Sequence, residues 1–252
     1  MDDERLDAVA REIRDAETVV AFSGAGVSTA SGIPDFRGPD GLWNRYDPED
    51  FHVRRFRADP AGFWEQQLEL YEDVFRAVDP DPNPAHVALA DLESAGHLEG
   101  VLTQNVDGLH QAAGSEAVIE LHGTTERVTC RDCRQRYETD PVRDRAADGE
   151  LPPRCVECGG LLKPDTVLFG EQLPEHALLR SHALAQRADV FLAVGSSLTV
   201  EPAASLPEEA QSRGGTLVIA NHDPTPLSDG AAFDFRADVT EILPALRDRV
   251  LD

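Results

Sequence analysis

The run Val19-Val20-Ala21-Phe22-Ser23-Gly24-Ala25-Gly26-Val27-Ser28-Thr29-Ala30-Ser31-Gly32-Ile33-Pro34-Asp35-Phe36-Arg37 decides how the rest of the chain is read. It opens on a short apolar stretch of the kind that forms a strand buried in a parallel sheet. Two glycines follow at once, where the backbone must turn sharply and lie close to whatever binds there. Ser28 and Thr29 then stand where a helix start is expected, with free N–H groups aimed at the same place. Strand, glycine turn and helix N-terminus make an anion site suited to a pyrophosphate, so Gly24, Ala25, Gly26 and Ser28 are candidate dinucleotide-binding residues. The dinucleotide fingerprint carries a third glycine three places after the second; Thr29 occupies that place here. In the continuation Ser31-Gly32-Ile33-Pro34-Asp35-Phe36-Arg37, glycine and proline break a helix, which predicts an ordered loop that brings Asp35, Phe36 and Arg37 back over the turn.

On the N-terminal side, Leu6, Val9, Ala10 and Ile13 recur at helical spacing and predict an amphipathic helix over residues 4–16. On the C-terminal side, residues 38–84 read as an insertion. It has a turn at Gly38-Pro39-Asp40-Gly41, a helical stretch from Asp59-Pro60 through Tyr71 and Phe75, and a proline-dense exit at Asp79-Pro80-Asp81-Pro82-Asn83-Pro84. Trp43, Trp64 and Phe75 are expected to pack this unit. A helix over 85–98 and a strand at Gly100-Val101-Leu102-Thr103 lead into Gln104-Asn105-Val106-Asp107-Gly108-Leu109-His110. Polar residues at the C-terminal end of a parallel strand lie where open α/β sheets bind ligands.

The next strand, Val118-Ile119-Glu120-Leu121, ends in His122-Gly123. Of eight histidines, His122 is the one at a strand's C-terminal end beside the expected crevice, which makes it the candidate general base. His110 reads as a packing or hydrogen-bonding residue, and His52, His86, His97, His176, His182 and His222 carry no assigned role. A helix over 174–187 and a strand over 189–194 precede Gly195-Ser196-Ser197, again suited to phosphate or ribose. Strands follow at 216–221, with Asn221 at the ligand-facing end, and at 233–236. Strands alternating with helices indicate a doubly wound, Rossmann-like parallel sheet.

All four cysteines fall in two pairs, Cys130-x-x-Cys133 and Cys155-x-x-Cys158, separated by the 21 residues 134–154. That gap is slightly longer than the roughly 15–20 residues usual for a paired Cys-x-x-Cys zinc site. Two knuckles of two thiolates complete a tetrahedron without an open position, so the expected metal is a structural zinc. It would hold together a polar segment over about 124–164.

Forty-seven acidic residues against 23 basic ones give a formal net charge of -24, and Lys163 is the sole lysine. Such self-repulsion is tolerated where salt screens it, which points to a salty cytosol. The charge disfavours direct nucleic-acid binding and favours basic peptides. No apolar run approaches the roughly 18 residues of a membrane span, and Met1-Asp2-Asp3-Glu4-Arg5 lacks the basic and apolar regions of a secretory leader. The expectations are a cytoplasmic location, no membrane contact and a monomer.

Gly24-Ala25-Gly26-Val27-Ser28 with Ser31-Gly32-Ile33-Pro34-Asp35-Phe36-Arg37, Thr103-Gln104-Asn105-x-Asp107-x-Leu109-His110, His122-Gly123, the cysteine pairs and Lys163-Pro164-Asp165-Thr166-Val167-Leu168-Phe169-Gly170-Glu171 together resemble the sirtuins, NAD-dependent protein-lysine deacylases. The resemblance runs from about residue 18 to 240. It implies that residues 1–37, 85–123 and 165–252 form the NAD-binding domain, and that 38–84 and 124–164 form a small domain. It further implies that Asn105 orients the nicotinamide ribose, that Asp107 with Ile33 and Phe36 holds nicotinamide, and that Arg37 meets the phosphates or gates the loop. Gln104 and Val106 complete that motif, and Asp238 and Val239 contact adenine through the backbone.

By the same resemblance an acetylated protein lysine enters a tunnel lined by Val167, Leu168 and Phe169, its backbone adding as a strand along the segment that runs on through Gly170 and Glu171. His122 takes a proton from a ribose hydroxyl, and the products are free lysine, nicotinamide and O-acetyl-ADP-ribose. Family members that prefer acidic acyl groups carry Tyr-x-x-Arg in the covering helix; Tyr71 is followed by Glu72-Asp73-Val74, so a short uncharged acyl group is expected. The competing readings are a mono-ADP-ribosyltransferase using the same pocket, a nicotinamide dehydrogenase, and a zinc-ribbon nucleic-acid-binding module.

Overall fold

The computed structural model describes residues 2–38 and 41–252; the turn expected at Pro39-Asp40 lies outside them. In chain order the regular elements are α1 (Asp3–Asp15), β1 (Val19–Ser23), α2 (Val53–Ala58), α3 (Pro60–Leu70), α4 (Pro84–Ser94), β2 (Gly100–Thr103), α5 (Leu109–Ala112), β3 (Val118–Glu120), β4 (Gly123–Cys130), β5 (Arg136–Glu138), α6 (Thr139–Ala147), β6 (Leu162–Thr166), α7 (Glu175–Ala185), β7 (Val190–Val194), α8 (Leu206–Ser212), β8 (Thr216–Ala220), β9 (Phe233–Phe235) and α9 (Val239–Leu251).

Six strands form one parallel sheet in the order β3-β2-β1-β7-β8-β9. Its central strands are continuous apolar runs because both faces are covered. Successive side chains of β1 go to opposite faces. Val19 and Ala21 join Leu6, Val9 and Ile13 of α1, Leu89 and Leu92 of α4, and Ile242, Leu243 and Leu246 of α9. Val20 and Phe22 join Phe191, Ala177 and Ala185 of α7, and Leu206 and Ala210 of α8. Phe22 is completely buried, and removing a side chain of that size from water stabilises by about 1.5–3 kcal/mol.

A second, antiparallel sheet runs β5-β4-β6 and carries the cysteine pairs. Its core is shared. Val128, Cys130, Val142, Cys155 and Leu162 form one cluster with Val53 and Phe56 of α2 and Phe63 and Trp64 of α3. Trp64 is 2% exposed and donates its indole N–H to the carbonyl of Leu162 at 2.9 Å. The segment therefore completes an apolar core together with residues from the insertion, which is where Trp64 and Phe63 find their packing.

Two local expectations are corrected. No α-helix follows the glycine turn: the chain makes two 3-10 turns, Ala25–Val27 and Thr29–Ser31, and leaves them at Gly32 with φ 87°. Ile33-Pro34 denies the helix further turns, and the Ser28 hydroxyl is drawn inward to a carboxylate instead of capping. The helical stretch after α3 widens into a π-helical segment over Tyr71–Arg76, for which the sequence carries no periodic signal. Among the described residues no helix is long and apolar enough to cross a membrane.

Candidate active site

All strands of the parallel sheet point the same way, so the loops after β1, β2, β3, β7, β8 and β9 converge on one edge. The chain leaves β1 toward β2 and β3 on one side, while β7, β8 and β9 lie on the other, and a crevice opens at that switch point. There the Gly24 N–H donates to Val194 O at 3.2 Å and the Gly26 N–H to Gly195 O at 2.8 Å. A Cβ on Gly26 would stand 2.8 Å from Gly195 O. Gly195 itself has φ 57°, and a Cβ on it would meet Val27 N at 2.3 Å. Glycine is required here by two loops pressed backbone to backbone, which also leaves the turn bare for an anion.

Under this turn lies a buried polar network. Ser28, 1% exposed, donates its hydroxyl to Asp107 Oδ2 at 2.7 Å and accepts Asn105 Nδ2 at 3.1 Å. Asp107 Oδ1 accepts the Leu109 N–H at 3.0 Å. His86 lies below, its Nδ1 accepting the Asn83 N–H at 3.3 Å and its Nε2 3.5 Å from Ser28 Oγ. The His86 and His110 rings are 4.9 Å apart. Ser23 Oγ donates to Thr103 Oγ1 and lies 2.8 Å from His110 Nε2, so that nitrogen carries the proton, and Nδ1 is a buried atom without a partner. Burial pushes His86 down to about 4 and His110 to about 3. Asn83 caps α4 through the Ala85 N–H and spends its amide on Val27 O and Ser31 Oγ. His110 is thus the hydrogen-bonding residue expected, whereas His86, Asn83, Ser23 and Thr103 received no role in the sequence reading. The helix-start signal at Asn83-Pro84 was the available clue to that corner.

His122 is half-buried at the end of β3, with Nδ1 3.1 Å from the carbonyl oxygen of Gln104. A carbonyl only accepts, so Nδ1 carries the hydrogen and Nε2 presents a lone pair. Burial pushes the imidazole below its ordinary value of 6.5, partly offset by the Gln104 carbonyl. A neutral ring with a fixed tautomer is what a base needs. Gly123, at φ 74°, turns the chain directly into β4; a Cβ there would collide with Asp165 O at 1.8 Å. Gln104 accepts the Ser196 hydroxyl at 3.3 Å, tying the β2 and β7 loops together.

In the loop after the glycines, Ile33 is buried with Leu42, Val74 and Leu109. The Asp35 carboxylate accepts the Gly38 N–H at 2.8 Å and so closes the loop on itself. Phe36 is 39% exposed and lies 5.2 Å from the Trp43 ring, which in turn is 5.9 Å from Phe169; Arg37 is exposed. Ser196 is buried and Ser197 exposed. Asn221 stands at the end of β8, its N–H on Phe235 O. The Asp238 side chain caps α9 through Thr240, which holds its carboxyl below the usual range, and Val239 is buried.

Val167 follows β6 with its N–H on His122 O at 2.8 Å, and Phe169 is 44% exposed. Leu168, however, is 5% exposed and faces the cluster of Val53, Phe56 and Trp64. Consecutive residues of an extended chain point to opposite sides, so Leu168 packs the small core while Val167 and Phe169 alternate away from it. Gly170 lies against the His52 ring, and Glu171 accepts the Leu168 N–H at 3.1 Å.

The sulfurs of Cys130, Cys133, Cys155 and Cys158 all lie within 4.8 Å of one another, with two pairs at 3.6 Å. A tetrahedron with Zn–S about 2.3 Å places its sulfurs about 3.8 Å apart, so the donor set fits zinc. The Tyr137 hydroxyl, 2.9 Å from Cys155 Sγ, holds that thiol down at about 6, in favour of the thiolate a metal takes.

A family profile described as Sir2 family matches residues 24–202. The chain is 56% identical over 251 residues to an NAD-dependent protein deacetylase of the halophilic archaeon Haloarcula marismortui, covering 99% of this chain and 96% of that one. It is 42% identical to NAD-dependent protein deacylase 2 of Archaeoglobus fulgidus, with 99% and 97% covered. Among solved structures, a Sir2 complex with deacetylated p53 peptide and 3'-O-acetyl ADP-ribose superposes with TM-score 0.88 at 39% identity, covering 96% and 97% of the chains. A Sir2–p53 peptide–NAD+ complex superposes with TM-score 0.86, also at 39% identity, covering 96% of each chain.

Two outcomes are expected. Purified protein carries one zinc per chain by elemental analysis, and Cys130→Ser or prolonged chelation abolishes that metal together with the protease resistance of the small sheet. Stability also falls as pH drops below 6.5. The unfolded histidines then take up protons that His86 and His110 refuse until about 4 and about 3. Urea midpoints measured between pH 7 and 4 decline less in a His110→Gln variant than in the parent chain.

Proposed function

The chain belongs to the Sir2 family, and we infer that it is an NAD-dependent protein-lysine deacetylase, which passes the acetyl group to ADP-ribose and releases nicotinamide and O-acetyl-ADP-ribose. The observation that carries this reading is the half-buried His122, its Nδ1 fixed on Gln104 O and its Nε2 left free beside the glycine crevice. NAD, when bound, supplies the labile bond between nicotinamide and ribose and the hydroxyl that receives the acetyl group.

The residues divide that work as follows. Gly24, Ala25, Gly26 and Ser28 with Gly195, Ser196 and Ser197 hold the pyrophosphate and the adjoining ribose, the bare backbone of the paired glycine loops supporting the assignment. Asn221, Asp238 and Val239 serve the adenosine end. Asn105 orients the second ribose. Its amide nitrogen is spent on Ser28, which leaves Oδ1 to face a hydroxyl. Asp107, with Ile33 and Phe36, receives nicotinamide; Asp35 shapes that loop, and Arg37 gates it. His122 Nε2 removes the proton from the accepting hydroxyl, and burial keeps the ring neutral for that task. The zinc site is closed by four sulfurs and takes no part in the chemistry.

In this reading residues 1–37, 85–123 and 165–252 make the cofactor domain, and 38–84 with 124–164 cover it. A monomeric, cytoplasmic enzyme without nucleic-acid contact completes the proposal, supported by the acidic net charge and by four cysteines that form a metal cluster and no disulfide. That charge matches a salt-adapted protein, like its haloarchaeal relative.

The Tyr71 ring carries the Arg143 guanidinium, its carbon 3.3 Å from the centroid, and Arg143 is also paired with Asp140. The cation nearest Tyr71 is therefore already committed, and an acidic acyl group finds no free partner in it.

Nicotinamide release requires both NAD and an acetyl-lysine peptide, and His122→Ala lowers it by at least about 10²-fold, the lower range for loss of a general base; undiminished release in that variant would defeat the assignment. The acid limb of the parent's kcat/KM profile lies below pH 6.5 because the base stays neutral there. Offered in parallel, an acetylated peptide is turned over faster than its succinylated counterpart.

A further inference from the structure

A chain of 252 residues with 23 Lys and Arg side chains retains lysine at one position only. That position is not at the surface, where lysine ordinarily lies, but 6% exposed in β6. Lys163 Nζ has three N–H donors and three acceptors within reach: Thr166 O at 2.6 Å, Glu171 Oε2 at 2.9 Å and Pro164 O at 3.1 Å. Two of these are main-chain carbonyls one and three residues further along its own strand. A compact ammonium converges on them, whereas the planar fork of a guanidinium spreads its donors and cannot. The one lysine thus stands where three acceptors converge on a single point charge.

Its carboxylate partner does a second job. Glu171 Oε2 also accepts the Leu168 N–H at 3.1 Å, and Oε1 lies 3.7 Å from Arg131. Ammonium and carboxylate together join residue 163 to 171 and fold the intervening chain into a closed loop. That loop is anchored at three further points: Val167 N–H on His122 O at 2.8 Å, Phe169 N–H on Phe51 O at 3.0 Å, and Val53 N–H on Phe169 O at 2.9 Å. The loop therefore borders the general base directly.

We propose that Lys163 and Glu171 are a positioning pair, a buried clasp that fixes the shape of residues 166–170, so that the backbone groups not bonded within the chain, Val167 O and those of Gly170, form a preformed edge for the backbone of the acyl-lysine substrate. The proposal rests on the deacetylase reading in taking that segment as the peptide-binding edge. A preformed edge spares the cost of ordering the loop when the peptide binds. The clasp acts on peptide affinity and not on NAD, whose candidate residues lie in the loops of the parallel sheet. It also commits every proton of the only side-chain amine in the chain, so a deacetylase built this way offers itself no internal lysine substrate.

Steady-state kinetics on the full-length, zinc-loaded enzyme test it. Lys163→Arg keeps the charge but not the convergence on two carbonyls. The double variant Lys163→Met/Glu171→Gln removes the clasp without leaving a lone buried charge, which single removal would do. Both are expected to raise KM for an acetyl-lysine peptide about tenfold while KM for NAD and kcat stay within about twofold. Equal losses for NAD and peptide, or an unchanged peptide KM in either folded variant, overturn the clasp. A parent enzyme that releases no nicotinamide overturns the deacetylase reading instead, so the two failures are distinguishable. Native acetylation with acetic anhydride, read by mass spectrometry, gives an independent measure that does not require the variants to fold. The α-amino group is modified and Lys163 is spared until denaturant is added; prompt acetylation of Lys163 in the native protein refutes the committed amine.

Discussion

A contact that admits no side chain lies at the centre of this molecule. Where β1 and β7 end, Gly24 and Gly26 press on Gly195 so closely that a methyl group on any of them would sit 2.3–2.9 Å from the opposing backbone. Because the two strands are parallel neighbours at the switch point, their loops must leave toward opposite halves of the sheet, and only glycine lets them pass this close. The crevice follows from that constraint. Everything polar in the candidate site hangs from loops whose origin is set by the same sheet edge, from Asn105 and Asp107 after β2 to His122 after β3 and Asn221 after β8.

Much of this was legible in the sequence, for identifiable reasons. The apolar runs of β1, β7 and β8 announce strands covered on both faces, and the glycines directly after two of them announce the turn. His122 stood out by place, at the end of a strand, and its hydrogen bond to Gln104 supplies the tautomer that place alone could not give. The paired cysteines carried their spacing openly. Long-range pairing and local shape were the hidden parts. Nothing in the pattern around His86 distinguishes a solvated helix residue from one folded under Ser28, because the partner lies 58 positions away. The π-helical segment at Tyr71 leaves no periodic trace, and the inward turn of Leu168 depends on a cluster assembled from α2, α3 and β6. Ser28 misled in a different way: a hydroxyl beside a glycine turn suits a cap, which accepts backbone N–H groups, but here it donates to the half-buried Asp107 carboxylate at 2.7 Å and accepts from Asn105.

The extreme charge shapes the surface and leaves the interior to different rules. Where the chain is exposed, carboxylates outnumber cations and arginine supplies almost all positive charge. Where it is buried, the ionisable groups are few, and each is either paired or neutral. Lys163 has three acceptors, and His86 and His110 are held neutral by burial. The small sheet shows the same economy: it completes its core with Phe63 and Trp64 and places two of the four cysteines inside that cluster. A metal there would tie the knuckles to the covering helices as well as to each other.

The buried network beneath the crevice gives the site its direction. Asn105 and Asp107 each have one polar atom bound from below, the first through its amide nitrogen and the second through Oδ2, and both meet on the single hydroxyl of Ser28. A hydroxyl has one proton to give, and here it goes to the carboxylate, so the amide must be the donor from the other side. That order fixes how the Asn105 amide is turned: its nitrogen faces Ser28, and Oδ1 points away as an acceptor for a ligand. His86 reinforces it from underneath, since with Nδ1 engaged by the Asn83 N–H its other nitrogen turns a proton toward Ser28 Oγ. Were either histidine to charge, the added proton would have no buried acceptor to receive it. The orientation of the asparagine is thus set by the Ser28 hydroxyl and its carboxylate acceptor, with a neutral His86 beneath them.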